Sequence, residues 1–229
     1  MKKTKKIKVV GAGGIGSHLL EPLARYLSYT EDHVEITVID GDQFEERNKE
    51  RQRCTDFENK AKNTVSAISA HFPKLHFRTK SEYVTDDNVI SLIREGDIIF
   101  LCVDNHATRK LVSDRCEELE NVVLISGGND YTDGNVIIYS RKDGKDVGRP
   151  LTKIHPAIAQ PDDKNPGTLT DQERQGCQEE ARIKPQLLFT NLSIASIMLN
   201  VYYTYEQGKA NFEQVYVDIL KQRMRPSPD

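Results

Sequence analysis

The sequence is poor in cysteine, and the cysteines that it has are widely spaced. Four occur among 229 residues, at positions 54, 102, 116 and 177, and no two of them form a C-x-x-C pair. Structural zinc sites and disulfide frameworks both need closely patterned cysteines, so the sequence predicts neither. We therefore expect a zinc-free protein of a reducing compartment, with the cytoplasm as its default location.

The chain also lacks an excess of positive charge and a long apolar run. Its net charge is −3 and its pI is about 6.1, so no basic field predicts binding to nucleic acid or to an anionic membrane. The lysine-rich start, residues 1–6, is interpreted as a solvated segment before the first strand. No apolar stretch approaches the roughly 20 residues of a membrane span, and no signal-peptide core is found near the N-terminus. We expect neither a nucleic-acid nor a membrane partner.

A glycine turn stands between a strand-like and a helix-like stretch near the start of the chain. The apolar run 7–10 leads into Gly11, Gly13, Gly14 and Gly16, and a helix-like stretch, 17–26, follows. Glycines let the backbone turn tightly and approach a phosphate, and a helix N-terminus offers unpaired N–H groups with a partial positive charge. The turn therefore predicts nucleotide binding, but by itself it fits NAD, FAD and ATP equally.

Strand-like and helix-like stretches alternate as far as residue 126. The predicted strands are 7–10, 34–39, 75–78, 97–103 and 122–126, and the predicted helices between them are 17–26, 60–71, 86–94 and 107–120. This alternation predicts an α/β fold with a doubly wound, Rossmann-like, mostly parallel sheet whose site lies at the carboxyl ends of the strands. Strand-like stretches at 134–140 and 215–220 predict antiparallel strands added in the C-terminal part.

The C-terminal part is predicted to contain a long loop and a buried helix. Residues 145–183 are polar and proline-containing, which is typical of a functional or a disordered loop. Residues 187–205 are apolar nearly all round, which predicts a helix buried against the sheet or a partner chain. Because no repeat and no second core is found, we predict one domain, 1–229. Its parts are a nucleotide-binding half (1–140), a crossover loop (145–183) and a C-terminal helix and strand (184–229).

Polar residues follow three strands of the predicted sheet. Asp40 ends the second strand, near the roughly 20-residue distance from the glycine turn at which an acid meets a nucleotide ribose. The loop after it contains Asp42, Asn48, Arg51 and Gln52, and Asp104 follows the most apolar strand. Together these residues supply a phosphate cradle, a ribose acid, a cation and a carboxylate for Mg²⁺. Nucleotidyl transfer needs all of these parts, whereas a dehydrogenase needs only the first two.

These motifs, in this order, resemble the ThiF/MoeB/E1-like superfamily, whose members adenylate the C-terminal glycine of ubiquitin-like proteins. The resemblance rests on G-x-G-G-x-G at 11–16, on D-x-D at 40–42 followed by N-x-x-R-Q at 48–52, and on C-V-D-N-x-x-x-R at 102–109. It covers about residues 7–140, and more loosely 170–220. It implies an ATP- and Mg²⁺-dependent adenylyltransferase that forms a homodimer and acts on a ubiquitin-like protein ending in Gly-Gly.

The resemblance also implies roles for individual residues. The implied catalytic residues are Arg51, Lys60, Asp104 and Cys177, with Asp104 as the metal ligand. The implied nucleotide-binding residues are Gly11, Gly13, Gly14, Gly16, Asp40, Asp42, Asn48, Arg51, Gln52, Lys60 and Asp104. Lys62 is the alternative to Lys60 as the lysine that contacts phosphate. In some relatives a loop thiol at the position of Cys177 bonds covalently to the activated partner, but the acidic neighbours of Cys177 disfavour a thiolate, so a nucleophilic and a plain exposed cysteine both stay open.

The chain departs from the family pattern in ways that leave alternatives open. It lacks the family's two zinc-binding C-x-x-C pairs and the N-terminal helix whose arginine reaches the partner subunit's ATP, so it resembles a compact, zinc-free member. The loop between Arg51 and Lys60 is also short. The alternatives are a same-fold enzyme acting on a peptide or a tRNA base, an NAD-dependent dehydrogenase, and a catalytically weak nucleotide-binding scaffold for a ubiquitin-like partner.

Overall fold

The computed structural model describes residues 4–50, 52, 58–170 and 187–226, which form an α/β structure. Its strands are β1 (Lys5–Val10), β2 (Val34–Ile39), β3 (His76–Lys80), β4 (Asp97–Leu101), β5 (Val122–Asn129), β6 (Asp133–Lys142), β7 (Lys145–Val147), β8 (Gln214–Asp218) and β9 (Arg223–Pro226). Its helices are α1 (Gly14–Thr30), α2 (Lys60–Ser69), α3 (Val89–Leu92), α4 (His106–Glu117), α5 (Leu151–Ile154), α6 (Pro156–Ala159) and α7 (Leu188–Glu206). Short 3₁₀ turns lie at Glu46–Glu50 and Pro166–Thr168.

All of these strands belong to one sheet, in the order β3-β2-β1-β4-β5-β6-β8-β9, with β7 paired to β6. The first five strands in this order are parallel, and β6 to β9 pair antiparallel. This confirms the predicted doubly wound sheet with antiparallel strands added at its C-terminal end. The chain leaves β1 toward β2 on one side and returns to β4 on the other, so a crevice opens at the carboxyl end of β1.

Each face of the sheet has its own apolar core because successive side chains of a strand point to opposite faces. Phe100 of β4 packs with residues of α1, α2 and α7 on one face. Its neighbours Ile99 and Leu101 pack on the other face with residues of α3, α4, α5 and α6. Because both faces are covered, residues 98–101 of β4 form a continuous apolar run, as is typical of the central strands of a parallel sheet.

The long helix α7 has one buried and one exposed apolar face. Ile194, Met198 and Tyr202 are buried in the core against the sheet. Phe189 and Tyr203, in contrast, are 64% and 52% exposed. Of the predicted alternatives, the sheet or a partner chain, the sheet covers one face of the helix. The described residues leave the other face exposed, and it carries Phe189, Leu192 and Tyr203 beside the polar Ser196 and Asn200.

Three elements differ from their predicted bounds for local reasons. The predicted helix 86–94 shrinks to α3, because the Asn88 side chain bonds Thr85 N and Tyr83 O and so holds the preceding residues in a turn. The predicted final strand 215–220 ends at Asp218, whose carboxylate accepts hydrogen bonds from Lys221 N and Nζ in a turn that leads to β9. In the described part of the predicted crossover loop, 145–170, the structure has β7, α5, α6 and a 3₁₀ turn.

No helix within the described residues has the length and apolar character needed to cross a membrane. The cytoplasmic location stays a prediction.

Candidate active site

A cavity of about 470 Å³ lies at the carboxyl ends of the parallel strands. The sheet order places the residues that follow β2 at one end of the cavity, those that follow β1 and β4 in the middle, and the hairpin between β5 and β6 at the other end. Neighbouring strands are about 4.8 Å apart, so the cavity is long enough to hold a nucleotide and part of a second molecule side by side. This is the edge at which the sequence predicted a site.

The glycine turn after β1 forms the middle of the cavity wall. Gly11 has φ +91°, and a Cβ there would lie 2.9 Å from the carbonyl of Cys102. A Cβ at Gly16 would lie 1.9 Å from Gly11 O, so α1 starts directly against the turn. Gly13 and Gly14 line the cavity at the N-terminus of α1. A glycine has no side chain to cap the helix, so its first N–H groups are available to an anion such as a phosphate.

Asp40 joins the glycine turn to the loop that follows β2 through hydrogen bonds. Its carboxylate accepts hydrogen bonds from Ala12 N (2.6 Å) and Asp42 N (2.8 Å). Burial, together with the Asp42 carboxylate, raises the pKa of Asp40 to about 6, although Lys60 and the two N–H groups act in the opposite direction. Burial alone would lower the pKa of Lys60, but the carboxylates of Asp42 and Asp40 outweigh it and raise this pKa, which keeps the lysine charged.

Lys60 is the first residue of α2 and lines the cavity. Its Nζ lies 2.7 Å from Asp42 Oδ2, and Tyr83 Oη donates a hydrogen bond to Asp42 Oδ1. Asn59 caps α2 through Oδ1 and also donates from Nδ2 to Asp42 O, so the start of the helix is fixed to the β2 loop. Lys62 is exposed and lies outside the cavity lining. Of the two lysines that the sequence left open, the structure therefore places Lys60 at the cavity.

The loop between β2 and α2 contributes Gln52. It is buried and lines the cavity, and its Oε1 has no hydrogen-bond partner within the described residues, as expected for a group that awaits a ligand. Asn48 is also buried, but its Oδ1 accepts from Glu45 N (2.9 Å) and so supports the 3₁₀ turn, and it lies outside the lining. The predicted phosphate contact of Asn48 stays a prediction. Arg51 and Cys177 lie outside the described residues, so their predicted roles stay predictions.

Asp104 follows β4 and has a side chain that is available to a ligand. It is exposed, lines the cavity, and forms no hydrogen bond or ion pair with the described residues. No three His, Cys, Asp or Glu side chains of the described chain converge as a metal cage. A single carboxylate that shares Mg²⁺ with phosphate oxygens and water is the usual arrangement at nucleotide sites. The Asp104 carboxylate, together with phosphate oxygens and water, therefore fits the predicted Mg²⁺.

Arg109 is a buried cation beneath the β4–α4 turn. It donates to Ser126 Oγ (2.8 Å), Val103 O (2.5 Å) and Gly127 O (2.8 Å), and so ties the ends of β4 and β5 to α4. Burial lowers its pKa, with Asp104 acting in the opposite direction, but an arginine stays charged at any physiological pH. The sequence motif contained Arg109 without assigning it a role, and the structure makes it a cross-link at the centre of the cavity wall.

The far end of the cavity lies over β6 and β8. His155 Nε2 is 2.9 Å from Asn135 Nδ2, and both residues line the cavity together with Tyr216. Burial, with His106 and Arg109 nearby, lowers the pKa of His155, so it is neutral at physiological pH. In the sheet order, β1, β4 and β5 separate this end from β2, which Asp40 follows.

Sequence reasoning missed several residues of this cavity. Tyr83, Asn135, His155 and Tyr216 line it, and Asn59 supports it through its hydrogen bond to Asp42 O. Asn59 carries a signal that could have found it, because an asparagine directly before a helix is a typical N-cap. The others act through contacts between distant parts of the chain and have no local pattern.

Comparison with known proteins relates this chain to one family. A model of the ThiF family matches residues 2–227. The adenylyltransferase and sulfurtransferase MOCS3 of Drosophila sechellia is 30% identical over 148 residues, and that of Anopheles gambiae is 29% identical over 146 residues. These alignments cover 62% of this chain and 31% and 32% of the relatives. The chain thus spans about a third of the length of the curated relatives that it matches.

Solved structures of E. coli MccB have the same fold. The structure with succinimide gives a TM-score of 0.71 at 16% identity and covers 97% of this chain and 63% of that one. The structure with ATP gives a TM-score of 0.70 at 18% identity and covers 98% and 64% of the two chains. At such low identity, the likeness establishes the Rossmann-like sheet and no more.

Proposed function

The chain belongs to the ThiF family, and from this premise we propose that it is an ATP- and Mg²⁺-dependent adenylyltransferase. Its proposed substrate is the C-terminal glycine carboxylate of a ubiquitin-like protein that ends in Gly-Gly. The observation that carries the proposal is the meeting of the glycine turn, Asp40, Lys60 and Asp104 in one cavity. The relatives named adenylyltransferases and the MccB structure with ATP support the same reaction class.

The reaction needs charge compensation and alignment rather than a base. The attacking carboxylate is already ionised at neutral pH; one of its oxygens bonds to the α-phosphorus of ATP, and the bond to pyrophosphate breaks. Lys60 would neutralise phosphate charge once it turns from Asp42, and Arg51 is proposed to assist. Mg²⁺ held by Asp104 would supply further charge neutralisation. Gln52, whose Oε1 has no hydrogen-bond partner within the described residues, would orient the nucleotide. Cys177 stays a hypothesis as a later acceptor of the acyl group.

A peptide carboxylate is the second candidate substrate. MccB, which has the same fold, is described as a microcin C7 biosynthetic enzyme and has been solved in complex with N-formylated MccA. The cavity end formed by Asn135, His155 and Tyr216 would accept the last residues of either a flexible protein tail or a short peptide.

The face of α7 that the described residues leave exposed supports the proposed homodimer. Phe189, Leu192 and Tyr203 are exposed on this helix, and Tyr29, at the end of α1, is 87% exposed. Contiguous exposed apolar surface on a folded protein is typical of an interaction site. Sedimentation of the purified protein at several concentrations, with Leu192→Glu as the disruptive variant, would test this assembly.

ATP–pyrophosphate exchange in the presence of Mg²⁺ tests the main proposal. The candidates are ubiquitin-like proteins ending in Gly-Gly, the same proteins without these two residues, and short peptides. We expect exchange only with intact tails, loss of exchange in Asp104→Ala, and no change in Asp87→Ala, an exposed carboxylate outside the cavity lining. Exchange with peptides alone would favour the second candidate. ATP binding without any exchange would favour a scaffold, and binding of NAD instead of ATP would overturn the proposal.

A further inference from the structure

A carboxylate from the described part of the crossover segment holds the start of α4. Asp163 Oδ2 accepts from His106 N and Asp163 Oδ1 accepts from Ala107 N, both at 2.7 Å. Asn105 Oδ1 accepts from Thr108 N, one residue further along. The first N–H groups of a helix have no partner within the helix, and an anion placed there is stabilised by the helix dipole. The N–H groups of His106 and Ala107 thus find their acceptor in Asp163, which lies 57 residues after His106 and 56 residues after Ala107.

The same segment is fixed on the opposite side of the cavity. Asn165 Nδ2 donates to Val84 O (2.8 Å). A Cβ added at Gly167 would lie 2.4 Å from Thr85 Cγ2, so the backbone packs closely on the segment that follows β3. Pro166, between these two contacts, lines the cavity. Residues 163–167, which we term the strap, therefore run from α4 beside β4 to the chain beyond β3.

The geometry points to Asp163 as a positioning residue for the metal-binding carboxylate of the proposed function, on which this inference rests. Asp104 lies two residues before His106, and its side chain has no bond of its own to the described residues. Its position therefore depends on how firmly the β4–α4 turn is held. Asp163 holds that turn from outside. The charge of Asp163 also acts on Arg109, as does that of Asp104.

A positioning role predicts an effect that appears only when the metal is present. Without Asp163, two N–H groups of α4 lose their acceptor, and the first turn of the helix frays together with the turn before it. In the absence of Mg²⁺, the Asp163 variant should bind ATP about as well as the unaltered protein does. The Mg²⁺ concentration needed for half-maximal binding should rise, by about five- to tenfold, as is typical for the loss of a helix cap.

The test is equilibrium binding of a fluorescent ATP analogue, titrated with Mg²⁺ and repeated in EDTA. Asp163→Ala removes the contact, and Asp163→Glu, which keeps the carboxylate, should restore most of the Mg²⁺ response. Asp162→Ala is the matched control, because it removes an adjacent but exposed carboxylate. We expect a shift in Asp163→Ala only. Equal shifts in the two alanine variants, or equal loss of binding with and without Mg²⁺, would overturn the inference.

Hydrogen exchange of the peptide 102–110 tests the contact without any nucleotide. Faster exchange at His106 and Ala107 in Asp163→Ala, but not in Asp162→Ala, is expected, and unchanged exchange would overturn the inference. If the unaltered protein bound ATP without a Mg²⁺ effect, the metal assignment of the proposed function would fail, and the positioning role would fail with it. A Mg²⁺ effect that is identical in all variants would remove the positioning role alone.

Discussion

Replacing Arg109 with methionine should destabilise the protein strongly, because three acceptors lose a charged donor at once. Arg109 is 6% exposed, and its guanidinium donates hydrogen bonds to Ser126 Oγ, Val103 O and Gly127 O. Hydrogen bonds to charged groups contribute about 1.5–3 kcal/mol each. The cost of burying the cation, several kcal/mol, is recovered in the variant and offsets part of this sum. We therefore expect the free energy of unfolding to fall by about 2–4 kcal/mol.

Thermal and urea unfolding followed by circular dichroism would measure this loss. For a chain of this size, about 2–4 kcal/mol corresponds to a fall in Tm of about 5–15 °C. Arg109→Lys should recover little, because an ammonium cannot reproduce the planar set of donors. The control is Arg78→Met, which breaks an ion pair with Glu35 on a side chain that is 69% exposed and should cost less than about 1 kcal/mol. An Arg109→Met variant no less stable than the control would refute the reasoning, and full rescue by lysine would show that charge alone matters.

Three further predictions concern the nucleotide end of the cavity. In Gly16→Ala the new Cβ would lie 1.9 Å from Gly11 O, so the glycine turn must open to make room for it. Calorimetry should then show ATP binding weakened by more than about tenfold. Lys60→Gln should weaken ATP binding about tenfold, whereas Lys62→Gln, at an exposed site, should change it less than about twofold. ATP affinity should fall as the pH is lowered from 7 to 5. Asp40, with a pKa of about 6, gains a proton over this range and no longer accepts hydrogen bonds from the ribose hydroxyls. The Asp40→Asn variant should show a flatter pH profile. The pKa of Asp40 in the folded protein lies above the pKa of an aspartate in the unfolded chain, so protonation of Asp40 raises the free energy of unfolding relative to neutral pH. If folded protein were lost together with ATP binding on acidification, the assignment of the affinity change to Asp40 would be contradicted.

The fold could be predicted largely from the sequence, because the pattern and the physical cause coincide. Residues 98–101 of β4 are all apolar because both faces of the sheet are covered. Glycine is required at position 11 because a Cβ there would lie 2.9 Å from the carbonyl of Cys102. Strand β9 was missed because Arg223–Pro226 has no apolar alternation, and its pairing with β8 rests on backbone hydrogen bonds. Helices α5 and α6 were missed because they are only four residues long and pack on α4 across the fold.

The candidate site could be predicted from local pattern where its residues follow a strand, whereas Gln52 and Lys60, which also line the cavity, were implied by the family resemblance. Asp40 and Asp104 come directly after, or shortly after, their strands, so their spacing predicts their place at the sheet edge. The distinction between Lys60 and Lys62 needed the geometry of α2, because both lie in its first turn but on different sides of the helix, and only Lys60 lines the cavity. Asp163 has no local signal at all, since its partners are 56 and 57 residues away. Contacts between distant segments are the part of the site that a single sequence does not reveal.

The position of α7 has a consequence for how the protein is made. Tyr202 packs edge-on against Phe100 of β4, with 5.4 Å between ring centroids, and Met198 lies over Gly127 of β5. A ribosome releases β4 and β5 well before α7, so the part of this face that α7 covers stays exposed while about 60 further residues are synthesised, a few seconds at typical elongation rates. Only α1 and α2 are available to cover the rest of the face during that time. The nascent chain therefore exposes an apolar surface that its own last helix later covers, and it depends on chaperones or on rapid completion. Shortened chains that stop before Leu188 should aggregate rather than fold as independent half-domains.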